Sequence, residues 1–460
     1  MQKVLKNLEG KDYIVDSIKT GEKKRNPAPP FTTSTLQQEA SRKLGFQIKR
    51  TMSIAQSLYE SGLITYMRTD STRISNEARA MAKEQIVSIY GENYYENRFY
   101  KTKKDAQDAH EAIRPTHLDM LPAEVKEKYS SEQYKLYKLI YDRLLASQMS
   151  SAIYDTMSVD IKAEEYLFKT NGSKIRFAGF MSLYVEGNDE ELEEKDVILP
   201  ELEVGQKLKL NFLEPLQHFT EPPARYTEAS LVKALEEKEI GRPSTYAPTI
   251  TTIIDRKYIE RHKKMLEPTE LGRIVNSVMK DYFKDIVDVE FTAQMEEQLD
   301  GVAEGNVEWK KIISEFYRPF SENLEVVEKE MEKIVIKDEV TDVPCDKCGR
   351  MMVIKIGRFG KFMACPGFPE CRNIMPIVEK LSIPCPDCGG DILIKKSKRG
   401  KRYYICANND NTENSPCTFI AWNGPNKDGV IKRAELNKEE KEEVVTKKKK
   451  KTSKKKTIKE

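Results

Sequence analysis

Cysteine is missing from the first 344 of the 460 residues, and all eight cysteines lie between Cys345 and Cys417. Disulfide networks are seldom segregated in this way in a cytosolic chain, so the pattern favours metal binding. No uncharged apolar run reaches the roughly 20 residues that a membrane span requires, and the N-terminal segment has no apolar core of a secretory signal. The sequence therefore predicts a cytoplasmic protein with no membrane partner.

A strong overall charge is also missing, since the formal net charge is only +3. Residues 446–460 contain nine lysines and one glutamate, which leaves a net charge of −5 on the rest of the chain. Binding of nucleic acid must then depend on local patches and on this lysine-rich tail. At roughly 150 residues per domain, the length predicts about three domains.

The first half of the chain is predicted to be helical and then strand-rich. Helical periodicity covers 32–62, and Gly62 ends it. A short β-prone run at 63–70 opens into a loop, and Ser75 caps the next helix. Residues 124–150 are again helical, whereas residues 151–225 show the two-residue period of strands.

After this strand-rich part, the pattern returns to helix. Thr227 caps one helix, Gly241 breaks it, and Ser244 caps a second helix that is followed by a basic segment at 256–264. Two helices across a tight turn, followed by a basic hairpin, outline a helix-turn-helix or winged module. An ordinary helical hairpin is the alternative.

Two cysteine modules follow one plan. In each, two cysteines separated by two residues precede a glycine, and a second pair of cysteines follows after 16 or 17 residues. Four thiolates on two knuckles form a closed tetrahedral zinc site of the structural kind, with an iron–sulfur or redox site as the alternative. The predicted ligands are Cys345, Cys348, Cys365 and Cys371 in the first module, and Cys385, Cys388, Cys406 and Cys417 in the second.

Aromatic and basic residues alternate around these cysteines. Bases of a single strand stack on such rings while the phosphates meet the cations. The alternative is that some of the rings pack against the zinc knuckles. The predicted DNA-contacting aromatics are Phe359, Phe362, Tyr403 and Tyr404.

Residues 65–71 bring a phenol, a guanidinium, several hydroxyls and a carboxylate together. Such a tyrosine is by itself more often a packed or surface aromatic, but Gly62–Thr72 resembles the nucleophile motif of the type IA DNA topoisomerases. Segments resembling further motifs of this family follow in the same order, and the resemblance covers about residues 1–424. In having Met67 directly after the tyrosine and two zinc ribbons, the chain resembles the bacterial topoisomerase I branch of this family. The further segments are 110–116, 223–229 and 241–246.

The resemblance implies an α+β multidomain fold, namely part of the type IA toroid followed by two zinc ribbons. The implied parts are a β-rich hinge domain (1–25 and 151–225), a helical domain with the catalytic tyrosine (26–150), a helical winged-helix-like DNA-binding domain (226–335), zinc ribbons (340–378 and 380–424) and a basic disordered tail (425–460).

The resemblance also implies the roles of individual residues. Tyr66 is the expected nucleophile and Arg68 the expected clamp on the phosphate, although Arg68 could instead form a surface pair with Asp70. A guanidinium fork suits a phosphate better than a lysine does. The remaining residues expected at the DNA are His110, Arg114, Glu60, Gln56, Thr65, Thr69, Asp70, Arg225, Arg242, Ser244 and Thr245.

The expected function is ATP-independent relaxation of negatively supercoiled DNA through a 5′-phosphotyrosine. The chain has no GxxxxGK[ST] phosphate loop, which agrees with a reaction that needs no ATP. In this family a Toprim domain supplies the Mg²⁺ ligands, and this sequence starts after that domain, so we expect a truncated record or a separate Toprim chain. A non-catalytic zinc-ribbon protein for single-stranded DNA is the alternative. A nucleoid-associated monomer is expected.

Overall fold

A computed structural model of the chain separates into two compact units, residues 1–331 and 332–460. Both helices and antiparallel sheets are present, which confirms the predicted mixed α and β fold class. The residues described are 2–100, 110–187, 198–331, 339–357, 360–377, 379–396, 402–409, 415–426 and 430–433.

The helices of the first unit begin and end as follows. They are α1 Gln2–Leu8, α2 Thr33–Leu44, α3 Ile48–Glu60, α4 Asn76–Tyr90, α5 Pro122–Lys128, α6 Ser131–Ser147, α7 Glu228–Glu237, α8 Tyr246–Asp255, α9 Glu270–Tyr282, α10 Val289–Ala303 and α11 Trp309–Glu330. Its strands are β1 Tyr13–Arg25, β2 Ala152–Ala163, β3 Tyr166–Phe177, β4 Lys207–Leu208, β5 Ile259–His262 and β6 Met265–Pro268.

The main apolar core joins α2, α3, α4, α5 and α6. Leu136, Tyr137 and Ile140 of α6 are fully buried there. Ser75 accepts a hydrogen bond from the backbone of Ala78 and caps α4, as the sequence predicted. The helical stretch predicted at 124–150 is two helices, because Ser130 and Gln133 form a capping box that starts α6.

A four-stranded antiparallel sheet contains β3, β2, β1 and β4 in that order. Strands from the beginning and the middle of the chain therefore lie side by side, and the two long neighbours of β2 pair with it along most of its length. A small apolar cluster around Leu8, Tyr13 and Ala163 packs at one end of this sheet.

Residues 227–331 begin with α7, α8 and the hairpin of β5 and β6. Thr227 caps α7 as predicted. Ser244 does not cap α8. The N-cap position is taken by Thr245, one residue further along than predicted, and the Thr245 side chain makes no capping bond. The Thr245 hydroxyl instead accepts a hydrogen bond of 2.8 Å from the backbone amide of Arg242, which closes the preceding turn.

The second unit contains two four-stranded antiparallel sheets, each built on one cysteine module. Phe359 and the lysine-rich stretch 446–460 lie outside the described residues. No helix in the described parts of the chain is long and apolar enough to cross a membrane. The strands are β7 Glu339–Pro344, β8 Met351–Gly357, β9 Gly360–Ala364, β10 Ile374–Pro376, β11 Glu379–Pro384, β12 Asp391–Lys396, β13 Arg402–Cys406 and β14 Ile420–Ala421.

Candidate functional site

The loop between α3 and α4 carries the tyrosine motif. Leu63, Ile64 and Met67 are buried in the main apolar core, whereas Tyr66 is 38% exposed. The chain leaves α3 at Gly62, whose φ of 71° is a left-handed conformation that glycine adopts without strain. Buried residues on both sides of Tyr66 therefore anchor the loop and leave the phenol accessible.

Residues 112–116 hold the start of this loop. The backbone amide of Thr65 donates to the carbonyl oxygen of Arg114 at 2.9 Å, and the Thr65 hydroxyl donates to the carbonyl oxygen of Ala112 at 2.7 Å. The β-prone run predicted at 63–70 is not a strand, since it forms a single isolated bridge to the neighbouring segment. The predicted DNA-contacting Thr65 thus uses its hydroxyl within the protein.

Two rings flank the Tyr66 side chain. The Tyr59 ring meets it edge-on with the centroids 5.3 Å apart, and the His110 ring lies 5.9 Å away at an angle of 41°. Within the described residues, the Tyr66 hydroxyl has no hydrogen-bond partner. The structure therefore brings together the predicted Tyr66 and His110 and leaves the phenol oxygen free.

Arg68 lies two residues beyond the tyrosine and is exposed. Among the residues that the structure describes, its guanidinium forms no ion pair and no hydrogen bond, and Asp70 likewise has no partner. The alternative of a surface pair between these two residues is therefore not what the structure shows. An exposed, unpaired guanidinium can receive a phosphate.

Arg114 is in a different situation, because its side chain is only 11% exposed and each of its three guanidinium nitrogens bonds a protein group. It donates to the Glu111 carboxylate from Nε at 3.0 Å and from Nη2 at 2.6 Å, and from Nη1 to the carbonyl oxygen of Pro115 at 2.9 Å. The guanidinium of Arg114 therefore fixes the segment beside the tyrosine loop.

Thr69 is 1% exposed and is held by Thr33, which the sequence analysis did not single out. The Thr33 hydroxyl donates to the carbonyl oxygen of Met67 at 2.8 Å and accepts from the backbone amide of Thr69 at 2.8 Å. The Thr69 hydroxyl accepts from the backbone amide of Ser71 at 3.0 Å. A run of hydroxyl residues at 32–35, at the N-cap and first turn of α2, was the available signal.

Gln56 and Glu60 lie one turn apart at the end of α3. The Gln56 amide donates to the Glu60 carboxylate at 2.7 Å, and Glu60 is exposed. Residues four apart share one helix face, so both side chains lie on the face that ends next to the tyrosine loop. The carboxylate of Glu60 forms no salt bridge with the described residues.

The beginning of α3 is attached to α7. The buried Glu228 carboxylate accepts a hydrogen bond of 2.9 Å from the backbone amide of Ile48, the first residue of α3, and forms an ion pair with Arg261. A separate apolar cluster joins Ile48 with Val232 and Ile250. The helix that leads to Tyr66 is therefore anchored on the part of the chain after residue 226.

The predicted DNA-contacting residues after position 224 lie apart from Tyr66 in the sequence, and two of them are paired. Arg225 forms an ion pair of 3.7 Å with Glu267, and Arg242 forms ion pairs with Glu296 and Asp300. Ser244 and Thr245 are exposed.

Arg242 lines a cavity of about 620 Å³, and Asp70 and Tyr246 line the same cavity. Burial raises the pKa of Tyr246 to about 12.

The eight cysteines form two clusters of four, as predicted, and the thiol sulfurs of each cluster lie within 4.8 Å of one another. Zinc bound to four thiolates at about 2.3 Å requires sulfur separations of about 3.8 Å. The sulfurs of Cys345 and Cys371 are 3.7 Å apart, and those of Cys348 and Cys365 are 3.3 Å apart. None of the cysteines is disulfide-bonded. Both clusters thus fit a tetrahedral zinc ion.

Backbone and amide groups orient these sulfurs. Asn373 donates to the Cys345 sulfur at 3.4 Å, and the amide of Gly367 donates to the Cys365 sulfur at 3.4 Å. Asn408 serves the second cluster in the same way, with its backbone amide 3.4 Å from the Cys406 sulfur. Such bonds stabilise thiolates and fix their direction toward a metal.

The aromatics of the second ribbon divide between its two faces. Tyr403 packs beside Trp422, with the ring centroids 5.6 Å apart, and Trp422 is 44% exposed. Tyr404 packs against the apolar cluster of the ribbon. In the first ribbon Phe362 is half-buried. The prediction that some rings pack against the knuckles therefore applies to Tyr404.

Comparisons with known proteins agree with this geometry. The family described as DNA topoisomerase matches residues 1–314, and the family described as topoisomerase DNA binding C4 zinc finger matches residues 342–380 and 382–415. The solved structure of full-length topoisomerase I from Thermotoga maritima is 36% identical with a TM-score of 0.62. The match covers 85% of this chain and 64% of that one. The chain belongs to the bacterial type IA DNA topoisomerases.

Proposed function

We propose that Tyr66 is the nucleophile that breaks one DNA strand, and that the chain takes part in ATP-independent relaxation of negatively supercoiled DNA. The observation that carries this proposal is the accessible Tyr66 phenol, unpartnered among the described residues, two positions before an exposed arginine, Arg68, that forms no ion pair with them. Both side chains extend from a loop whose intervening residue, Met67, is 2% exposed.

In the proposed reaction, the Tyr66 oxygen attacks a phosphorus atom of the DNA backbone. A bond forms between this oxygen and phosphorus, and the bond from phosphorus to the 3′ oxygen breaks, so that this oxygen leaves as a 3′ hydroxyl after taking up a proton. The reverse attack by the 3′ hydroxyl reseals the strand and releases Tyr66. Since the phosphodiester energy is kept in the phosphotyrosine, neither step consumes ATP.

Positive charge must stabilise the phosphate during this attack. We assign that role to Arg68, because it is exposed and forms no ion pair within the described chain. We propose that His110, whose ring centroid lies 5.9 Å from that of Tyr66, contacts the same phosphate. For the buried Thr69 and the partly buried Arg114 we propose a positioning role instead of a direct DNA contact, because both side chains bond protein groups.

Mg²⁺ does not fit the residues that the structure describes. Apart from the two cysteine clusters, no group of three carboxylate, histidine or cysteine ligands comes together in the described ranges. We propose that strand cleavage requires the Toprim domain of the family, on the same or on a separate polypeptide.

The test is covalent capture of DNA. A single-stranded oligonucleotide labelled at its 3′ end is mixed with the chain, a Toprim-containing N-terminal half and Mg²⁺, and the products are separated under denaturing conditions. We expect a labelled adduct that Tyr66→Phe abolishes, because the ring still packs while no oxygen remains to attack.

Tyr59→Phe is the matched control, because Tyr59 is the neighbouring exposed tyrosine, at 40% exposure against 38% for Tyr66. This control should still form the adduct. An adduct in the Tyr66→Phe variant would disprove the assignment. If no adduct forms at all and single strands are still bound, the non-catalytic zinc-ribbon function is supported instead.

Single-stranded DNA is the proposed ligand of the zinc ribbons. The partly exposed pair of Tyr403 and Trp422 offers a surface on which bases can stack, and Lys395 lies opposite Tyr403 on the neighbouring strand. We propose that the protein acts as a monomer on the DNA of the nucleoid in the cytoplasm.

A further inference from the structure

One face of the sheet of β1, β2 and β3 is basic. In an antiparallel sheet, cross-strand partners lie on the same face and every second residue of a strand shares it. Lys19 pairs with Ser158 and Lys23 pairs with Tyr154, so Lys19, Gly21, Lys23 and Arg25 share one face. These residues line a groove with a volume of about 850 Å³, and none of the described residues that line it has a carboxylate.

Two lysines of this groove, Lys19 and Lys23, differ from Arg176 on the opposite face. Lys19 and Lys23 form no ion pair with the described residues. On the other face, Arg176 forms ion pairs with Glu22 and Asp155, which balances the charge there. Exposed lysines without counter-charges on one side of a sheet create a positive potential over that side.

Gly21 keeps the groove open between the two lysines. The Thr156 hydroxyl donates to the carbonyl oxygen of Gly21 at 3.1 Å, and a Cβ at Gly21 would lie 3.3 Å from this hydroxyl. A side chain there would therefore crowd the floor of the groove. Four residues of strand separate Lys19 and Lys23 by about 13 Å, which is close to the roughly 12 Å width of the DNA major groove.

We propose that this face, which we call the Lys19–Lys23 face, binds the phosphate backbone of duplex DNA, separately from the tyrosine loop. Lysines and hydroxyls are the usual partners of DNA phosphates. Sites for single strands need rings on which bases stack. Among the described residues that line the groove, the one ring is that of Tyr154, which is half-buried and donates its hydroxyl to the Met181 sulfur at 3.0 Å. The inference rests on the proposed function, because it takes DNA as the substrate.

The experiment measures binding of a short DNA duplex to the full chain at several salt concentrations. We compare the double variant Lys19→Gln and Lys23→Gln with the unchanged protein. Each lost phosphate contact lowers the slope of log K against log salt by about 0.9, so the double variant should lower it by about 2. A circular dichroism melt shows whether the variant folds, and glutamine retains much of the lysine stem.

Lys174→Gln is the matched control, since Lys174 is an exposed lysine of the same sheet that points to the opposite face and forms no ion pair within the described chain. It should leave the slope for duplex DNA unchanged. An equal decrease in this control, or an unchanged slope in the double variant, overturns the proposal. So does an equal loss of affinity for duplex and single strands. The adduct at Tyr66 is measured separately, so its absence would count against the proposed function alone.

Discussion

The Glu228 carboxylate accepts a hydrogen bond of 2.9 Å from the backbone amide of Ile48, although the two residues are 180 positions apart in the chain. Gln47, the N-cap residue of α3, makes no capping bond with its own side chain. A residue of α7 therefore supplies the cap that the local sequence lacks. The bond ties the position of α3, and with it the tyrosine loop, to the helices after residue 226.

Glu228→Ala is expected to lower the free energy of unfolding of the first unit by about 2 kcal/mol, since it removes a buried charge-assisted bond and leaves Arg261 without its partner. Denaturant unfolding measures the loss, and amide exchange at Ile48 should become faster. Glu237→Ala on the exposed side of α7 is the control and should change stability by less than about 0.5 kcal/mol. Similar losses in both variants would contradict the capping role.

The Thr33 hydroxyl offers a second test, because it bonds the backbone on both sides of Arg68. Thr33→Val keeps the shape but leaves the backbone amide of Thr69 and the carbonyl oxygen of Met67 without this partner, which costs about 1–3 kcal/mol for each group. We expect lower stability and slower adduct formation at Tyr66. Thr33→Ser restores the hydroxyl and should rescue both. A Val variant with normal adduct formation would show that this bond does not position the loop.

The caps of several helices could be predicted from the sequence. Ser75 and Thr227 lie directly before α4 and α7, and each accepts a backbone hydrogen bond from a residue three positions on. Capping is local chemistry, so a single stretch of sequence contains the signal. The cysteine clusters could also be predicted, because the spacing within each module restricts which thiols can meet.

Contacts between distant segments could not be predicted in this way. Thr33 and Thr69 are 36 positions apart, and nothing near either residue indicates the other. The ion pair between Arg114 and Glu111 was also not predicted. The motif shows that arginines are present, but it does not show which of them pairs with a protein carboxylate. The resemblance provided the candidate Tyr66, and its role as the nucleophile stays a prediction.

Arg68→Ala is expected to slow cleavage of single-stranded DNA about a hundredfold, or about 3 kcal/mol, because no other charge replaces the clamp on the phosphate. Arg68→Lys should lose less, since it keeps the charge without the planar fork. Single-turnover cleavage in the presence of the Toprim half and Mg²⁺ measures both rates. Arg318→Ala, which changes an exposed arginine of α11, is the control. An unchanged rate for Arg68→Ala would remove this residue from the mechanism.

The zinc sites should be independent of each other. Each ribbon has its own apolar cluster, one around Met352 and one around Ile392 and Phe419. Such small cores need the metal for stability. The purified chain should contain two zinc ions, one for each cysteine cluster, and Cys365→Ser or Cys406→Ser should each remove one ion. Metal analysis by mass spectrometry checks this, and the loss of both ions from either variant would show that the sites are coupled.

The two neighbouring tyrosines of β13 provide the last prediction, because they face opposite sides of the second ribbon. Tyr403 packs beside the partly exposed Trp422, whereas Tyr404 packs against the apolar cluster. Tyr403→Leu should weaken binding of single-stranded DNA by about 1–3 kcal/mol, since it removes a ring on which a base stacks, and should leave zinc content and folding intact. Tyr404→Leu should mainly lower the thermal stability of the ribbon. Fluorescence anisotropy with a labelled single strand and thermal melts separate the two effects. If Tyr404→Leu weakens binding as much as Tyr403→Leu while the ribbon stays folded, the assignment of the DNA-binding face is wrong.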